Sequence, residues 1–353
     1  MEQLEPDEAR TGAEIVEVMR SISETTWADY GHAVRSVHAK SHGLVQGRLD
    51  VVDDLPPELA QGLFGRSGRY DVVMRFSTNP GDILDDDVST PRGLAVKIVG
   101  VDGEQLPGSE GYASQDLVMV NGPVFSAKNA KSFLGNLKLL AKTTDTPQTW
   151  KKAFSAIARG LESAVEAVGG ESATLKGLGG QPPTHILGET FYTQVPLLYG
   201  RYVAKLSVAP LSPELRALTG VKLDLSGKPN AIRDAVVDFF RSQGAIWELR
   251  AQLRTNPDTM PIEDASALWP EDESPYRMVA RITVDPQPAW TDARSRAVDD
   301  GFSFSPWHGL AAHRPLGSVM RVRKAAYEMS AGFRASHNGC PIHDPRPGEG
   351  LPS

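Results

Sequence analysis

The sequence predicts an α+β fold in which one antiparallel β-barrel carries inserted helices and a C-terminal helix. Three observations support this prediction. Runs of β-branched and aromatic residues cluster early and late in the 353-residue chain, helical patterns lie between and after them, and the strands and helices do not alternate as in βαβ units. The sequence also lacks an internal repeat at a solenoid or propeller period. We therefore expect a single main domain.

The strands are expected in two groups, each bounded by turn-forming residues. The first group comprises Gly43 to Val52, Arg69 to Thr78, Gly93 to Val101 and Asp116 to Val120, and the second comprises Phe191 to Leu211, Ala245 to Leu253 and Arg277 to Val284. The pair Asp102-Gly103 predicts a hairpin turn, because both residues tolerate the backbone angles of a tight turn.

Helical segments are predicted where apolar residues recur with a period near 3.6. They are Lys128 to Lys142, Thr149 to Val168, Lys228 to Gln243 and Leu316 to Ser336. Gly169-Gly170 is expected to end the second helix, and Gly177 to Pro183 to form a loop. We divide the chain into an N-terminal arm (1–23), the main domain (24–338) and a Pro/Gly-rich C-terminal tail (339–353).

Composition excludes several classes of protein. With 40% hydrophobic and 23% charged residues the chain is typical of globular proteins, and its net charge of −7 argues against nucleic acid as a partner. No apolar run approaches the ~18 residues of a membrane span, and the acidic N-terminus does not resemble a signal peptide, so we expect a cytoplasmic protein. The single cysteine, Cys340, excludes an internal disulfide or a cysteine-based metal cluster and is interpreted as an incidental exposed thiol.

The last predicted helix carries an unusual face. Arg323, Tyr327 and Arg334 fall within roughly 40° of one another around its axis, so a phenol lies between two guanidiniums. A neighbouring cation favours the ionised form of a phenol, and a phenolate is a hard donor that suits ferric iron. The alternative is a surface helix that carries these residues by chance.

Four upstream blocks favour the functional interpretation. They read R-S-V-H-A-K at 35–40, V-M-R-F-S at 73–77, P-R-G-L-A-V-K at 91–97 and N-G-P-V-F at 121–125. Together with R-x-x-x-Y at 323–327 and an arginine seven residues later, the set resembles the catalase superfamily from about Trp27 to Arg334. The resemblance implies an eight-stranded antiparallel barrel with haem b bound against its side.

The resemblance also implies a role for each matching residue. Tyr327 would be the axial ligand of the haem iron, with Arg323 against its oxygen. The remaining cofactor contacts would come from propionate-pairing arginines, a phenylalanine stacked on the distal haem face and a serine supporting the distal histidine: Arg35, Arg75, Arg334, Phe125 and Ser77. His38 would be the distal acid/base, since neutral imidazole moves protons near pH 7, and we expect it in an extended segment with Ser36 on the same side.

The distal amide is less clearly placed. The family has two consecutive asparagines, then threonine and proline, where this chain has Val120-Asn121-Gly122-Pro123. Without a gap, Val120 matches the asparagine that acts on the peroxide, whereas a one-residue shift gives that position to Asn121. We favour Asn121, with an ordinary Asn-Gly turn as the alternative.

The C-terminal block, F-S-F-S-P-W-H at 302–308 followed by H-R-P-L-G at 313–317, resembles the branch of small catalase-related proteins. That branch contains organic-hydroperoxide peroxidases and, more distantly, allene oxide synthases. The resemblance implies a haem peroxidase that reduces hydrogen peroxide or organic hydroperoxides through a ferryl intermediate, with weak catalase activity, a small-molecule electron donor and a homodimeric or homotetrameric assembly.

Two alternatives remain. The altered loop at 120–122 would also suit a haem-binding carrier or sensor without turnover. Rearrangement of fatty-acid hydroperoxides is the other, and Val37 argues against it, because the rearranging relatives have a hydroxylated residue before the distal histidine. The sequence carries no competing catalytic motif of comparable specificity, such as a phosphate-binding loop, H-E-x-x-H or G-x-S-x-G.

Overall fold

A computed structural model describes residues 2–88, 90–143 and 181–353. In this part of the chain nine strands form one antiparallel sheet in the order β5-β4-β3-β2-β1-β9-β8-β7-β6, and β5 also pairs with β7, so that eight strands close into a barrel and β6 extends β7 as a hairpin. The strands are β1 Lys40–Val51, β2 Arg69–Thr78, β3 Arg92–Val99, β4 Ser114–Val120, β5 Phe191–Tyr192, β6 Leu197–Tyr199, β7 Tyr202–Pro210, β8 Ala245–Leu253 and β9 Arg277–Val284.

Six α-helices accompany the barrel within the described ranges: α1 Glu8–Tyr30, α2 Ala130–Thr143, α3 Pro213–Arg216, α4 Ala231–Phe240, α5 Asp292–Ser295 and α6 Ser318–Asn338. A π-helical turn, Arg296–Asp300, follows α5 directly. Helices α1, α2 and α6 bury a shared apolar cluster that includes Ile15, Met19, Leu134, Leu137 and Val322. No helix in the described ranges is both long and apolar enough to cross a membrane.

The barrel interior is filled by side chains from alternate positions of each strand. In β2, Val72, Met74 and Phe76 belong to the main core cluster. The intervening residues Arg75 and Ser77 therefore lie on the outer face, because side chains alternate along a strand. They are nevertheless buried, since other elements cover this part of the wall. The polar outer face of β2 is where the predicted site residues occur.

Most of the predicted elements are confirmed. The predicted strand Phe191 to Leu211 is wrong as one element, because the chain turns twice within it and forms β5, β6 and β7. The hairpin predicted at Asp102-Gly103 is also wrong: β3 ends at Val99 and β4 begins at Ser114, with a longer connection between them. The predicted helix 149–168, its glycine stop at 169–170 and residues 177–180 of the predicted loop lie outside the described residues.

The two ends of the chain both contact the main domain. The predicted boundary at residue 23 falls inside α1. In the tail, Asp344 lies 3.1 Å from the fully buried ammonium of Lys97, which also donates to Asp116 at 2.7 Å. Burial alone would lower the pKa of Lys97, but the two carboxylates raise it. The proposed domain boundaries stay predictions.

Candidate active site

A row of three residues on neighbouring strands forms the floor beneath His38. Ser77 of β2 pairs with Gly93 of β3, and Gly93 pairs with Val120 of β4. Directly paired residues of antiparallel strands project to the same side of the sheet. The Ser77 hydroxyl lies 3.3 Å from His38 Nδ1. This face of the row is therefore the one that His38 covers.

Gly93 allows the imidazole to approach the sheet. A Cβ atom at position 93 would lie 2.6 Å from His38 Nδ1 and 3.0 Å from the Ser77 hydroxyl. The extended conformation predicted for His38 is wrong, because its φ is 53°, in the left-handed region. Ser36 does not face the same site: its hydroxyl contacts Ser23 and Ser330 on the helices. This turn aims the histidine ring at the barrel wall.

His38 is neutral at ordinary pH. Burial disfavours the imidazolium ion, the charges of Arg75 and Arg323 add to the effect, and the pKa of His38 falls from 6.5 to about 3. Arg75 belongs to the barrel and Arg323 to α6. The histidine therefore lies within electrostatic reach of both sides of the site.

Asn121 is turned towards other partners. Its side-chain oxygen accepts from the backbone N–H of Arg92 at 3.0 Å, and its amide nitrogen donates to Gln181 at 3.2 Å. Strand alternation places Val120 on the face that His38 covers and the next residue on the opposite face. The assignment of Asn121 as the distal amide stays a prediction, and the register favours Val120 as the neighbour of His38.

Helix α6 presents the predicted phenol. Arg323 Nη2 donates to Tyr327 Oη at 2.6 Å, one helical turn apart, as the helical spacing predicts. The Arg323 guanidinium also lies 5.7 Å from the centre of the Phe125 ring. Phe125 packs against a small apolar cluster that includes Met320 of α6, and its ring meets Phe133 of α2 edge-on at 5.2 Å, so its described contacts include both helices. Its predicted stacking on the histidine side stays a prediction.

The three other predicted arginines converge on a residue that no motif contains, Asp299. Arg75 Nε donates to Asp299 Oδ1 at 2.7 Å, and Arg35 Nη1 donates to the same oxygen at 3.0 Å. Arg334 Nη1 donates to the Asp299 backbone carbonyl, and Arg334 Nη2 donates to the Phe302 carbonyl at 3.2 Å. The structure thus brings Arg35, Arg75 and Arg334 together, as their assignment to one anion-binding role predicts.

The arginine cluster has a surplus of positive charge. Three arginines and one aspartate sum to two formal positive charges. Burial and the neighbouring Arg75 lower the pKa of Arg334 to about 10, although Asp299 opposes the shift. Arg334 Nε is buried without a hydrogen-bond partner in the described part of the chain. Such a cluster has the charge and a free donor to receive carboxylates.

Comparison with known proteins identifies the architecture. A fungal catalase structure superimposes with a TM-score of 0.59 at 19% identity, covering 90% of this chain and 62% of that one. Catalase A from Saccharomyces cerevisiae gives 0.59 at 18% identity, with coverages of 88% and 63%. The fold is the catalase fold. A curated catalase from Schizosaccharomyces pombe is 24% identical over 337 residues, which cover 88% of this chain and 60% of that protein. No family profile matches the chain, which spans about three fifths of the length of the catalases it resembles.

The residues on this catalase fold suit a haem. A propionate-bearing macrocycle needs cationic donors, and the surplus charge and the unpartnered Arg334 Nε of the arginine cluster provide them. A ferric iron needs an oxygen donor, and Tyr327 Oη already accepts a charged hydrogen bond. In the described ranges no group of three or more His, Cys, Asp or Glu residues is arranged to hold a metal ion.

Sequence reasoning missed two residues of this site. Asp299 lies outside every motif block, and an aspartate near the end of a polar stretch resembles many surface residues. Gly93 belongs to the P-R-G-L-A-V-K block, but only the structure shows that its lack of a Cβ is what admits His38. The signal that points to Asp299 is electrostatic, because three clustered arginines, two of them buried, need at least one nearby acid.

Proposed function

We propose that the chain is a haem-dependent peroxidase of the catalase superfamily, from its small catalase-related branch, with hydrogen peroxide or organic hydroperoxides as substrates. The observation that carries the proposal is the pairing of Tyr327 with Arg323 on α6, while the charge of Arg323 also acts on the neutral His38 of the barrel wall. A proton carrier and an oxygen donor paired with a cation thus belong to one site.

Different residues of the chain would contact the iron and the propionates of the cofactor. Tyr327 would hold the iron of haem b through its oxygen, and Arg323, which donates to that oxygen, would stabilise the bound form. Arg35, Arg75 and Arg334 would hold the propionates. Bound haem supplies the two electrons that break the peroxide O–O bond, and a small-molecule donor replaces them.

His38 acts as the general acid/base. Because Nδ1 contacts Ser77, Nε2 is the nitrogen left to act on the substrate. It takes the proton from one peroxide oxygen and returns it to the other, so that the departing oxygen leaves as water or alcohol rather than as an anion. Ser77 and Gly93 fix the ring for this transfer.

The Ser77-Gly93-Val120 row supports weak catalase activity. With Val120 on the face that His38 covers, the row offers no amide to the peroxide, and His38, held in place by Ser77, is left to orient it. An apolar neighbour favours substrates with an alkyl group over a second molecule of hydrogen peroxide. A homodimeric or homotetrameric assembly and a cytoplasmic location complete the proposal.

The same row favours a second candidate function, a haem carrier or sensor without turnover. A pocket without an amide beside the histidine would bind haem but activate peroxide slowly. Rearrangement of fatty-acid hydroperoxides has less support, since Val37 packs against the apolar cluster of the helices rather than beside His38 in the site.

The test begins with the absorption spectrum of the haem-loaded chain, followed by hydrogen peroxide or an alkyl hydroperoxide with a chromogenic donor. A peroxidase oxidises the donor, and faster with the alkyl hydroperoxide. A tyrosinate-type ferric spectrum without oxidised donor supports the carrier. A chain that shows no Soret band after incubation with haem contradicts both.

A further inference from the structure

The carboxylate of Asp299 is held from both sides. Oδ1 accepts from Arg75 Nε and Arg35 Nη1, and Oδ2 accepts from the hydroxyls of Ser41 at 2.7 Å and Ser295 at 2.8 Å. Four donors saturate the two oxygens, so the carboxylate has one well-defined position. It connects the loop before β1, the strands β1 and β2, and α5.

The backbone around Asp299 extends this arrangement. Residues 296–300 form a π-helical turn, a geometry that often occurs at functional sites. The carbonyl of Asp299 accepts from Arg35 Nη1 at 2.9 Å and from Arg334 Nη1, and the Val298 and Phe302 carbonyls accept from Arg35 Nη2. One short segment therefore orients all three arginines.

Charge repulsion would otherwise separate these arginines. Burial and the charges of Arg75 and Arg334 lower the pKa of Arg35 well below its ordinary value. Burial alone would raise the pKa of Asp299, but Arg75 and Arg35 bring it down to about 2. Arg334 of α6 and Arg233 of α4 also act on this carboxylate, while Asp300 is the other acid that acts on Arg35 and Arg334.

We infer that Asp299 is a positioning residue: it is the internal counter-ion that aligns Arg35 and Arg75 before any ligand enters, so that the chain without cofactor already holds a site for two further carboxylates. This inference depends on the proposed function only for the identity of the ligand, which would be a macrocycle with two propionates. Asp299 contacts the arginines and leaves Arg334 Nε free for the ligand.

The first test uses the chain without haem. Asp299→Asn keeps the shape, and its amide N–H groups can donate to Ser41 and Ser295, so the change removes mainly the charge. Asp300→Asn is the matched control, because the Asp300 carboxylate acts on Arg35 and Arg334 through its charge alone and makes its hydrogen bonds to His32 and Asn338. We expect Asp299→Asn to lower the melting temperature at neutral pH by at least about 3 °C more than the control.

The stabilisation by Asp299 should depend on pH in a defined direction. The folded-state pKa of Asp299 is about 2, below the ordinary ~3.9, so its stabilisation is fully present above pH ~4 and is lost as the pH falls towards 2. The difference between wild type and Asp299→Asn should shrink over that interval. Equal melting temperatures for Asp299→Asn and Asp300→Asn at neutral pH would overturn the inference, whether or not the chain binds haem.

The second test compares haem with its dimethyl ester, which lacks the propionate charges. Wild type and Asp300→Asn should prefer haem strongly in a Soret titration, and Asp299→Asn should lose at least ~10-fold of that preference because its arginines are no longer aligned. An unchanged or larger preference in Asp299→Asn overturns the inference. If Asp299→Asn does not fold, Ser295→Ala removes one bond to Oδ2 and should show a smaller loss of the same kind.

Discussion

The barrel wall and helix α6 contribute to the site in opposite electrostatic states. On the wall, His38 is held neutral with a pKa of about 3, and its floor consists of a hydroxyl, a glycine and a valine. On α6, Arg323 donates to Tyr327 Oη at 2.6 Å, and Arg334 extends into a cluster of charges. The wall offers a place for a proton, and the helix offers a place for negative charge.

This difference follows from how each side is built. A strand row fixes a ring by shape, so one missing Cβ at Gly93 determines where the imidazole lies. A helix places groups at fixed turns, so the sequence spacing alone sets the contact between Arg323 and Tyr327. Substitutions on the wall should therefore affect the reaction with peroxide, and substitutions on α6 should affect haem binding.

The largest expected effect is on the wall. His38→Ala should keep haem, because the residue is not the ligand, but slow the reaction with peroxide by ~10²–10⁴-fold, the usual contribution of a positioned acid/base. Since the pKa of His38 is about 3, the wild-type rate should show no acid limb from this group near pH 6.5. Stopped-flow mixing measures both. His337→Ala, at the end of α6, is the control, and a similar slowing there would mean a general loss of structure.

The next effect concerns the ligand on the helix. Tyr327→Phe should weaken haem retention by at least ~10²-fold and change the ferric spectrum, because the phenyl ring has no oxygen donor. Titration of the chain with haem measures this. Tyr202→Phe, on an exposed hairpin, should match wild type. If Tyr327→Phe keeps the wild-type spectrum and haem content, the iron has another ligand.

A smaller effect is expected from the neighbouring cation. Arg323→Ala removes both the charge and the hydrogen bond to Tyr327 and should weaken haem binding by about 10-fold, as outer partners of metal ligands commonly do. Arg323→Gln can still donate and should fall between the two. The loss should grow as the solution is acidified from neutral pH. Superimposable Soret titrations for the three proteins would show that this contact does not support the ligand.

The smallest effect tests the apolar floor. Val120→Asn introduces an amide on the face that His38 covers and should raise the rate with hydrogen peroxide several-fold, since one added donor at a reacting oxygen helps modestly when its position is not optimised. Asn121→Ala removes an amide that contacts Arg92 and Gln181 and should leave that rate unchanged. The opposite pattern would return the distal role to Asn121.

The sequence predicted the parts of this molecule that depend on regular periods. The α6 face and the strands β2, β3, β8 and β9 lie where their periodicity placed them. The sequence-based prediction was wrong where tertiary contacts determine the backbone conformation. His38 adopts a positive φ that no local pattern indicates, and the segment from Phe191 turns twice to close the barrel. The motif blocks do not single out Asp299, because its role exists only once three distant arginines meet.

The two-residue strand β5 is the seam of the barrel. Tyr192 makes the single register pair with β4, opposite Val120, and β5 contributes two pairs with β7. Few ladder hydrogen bonds hold this joint, so local opening should begin there. In a hydrogen–deuterium exchange experiment, peptides covering the β4–β5 joint should take up deuterium earlier than those covering β1 and β2. The floor beneath His38 would then lie next to the part of the barrel wall that opens most readily.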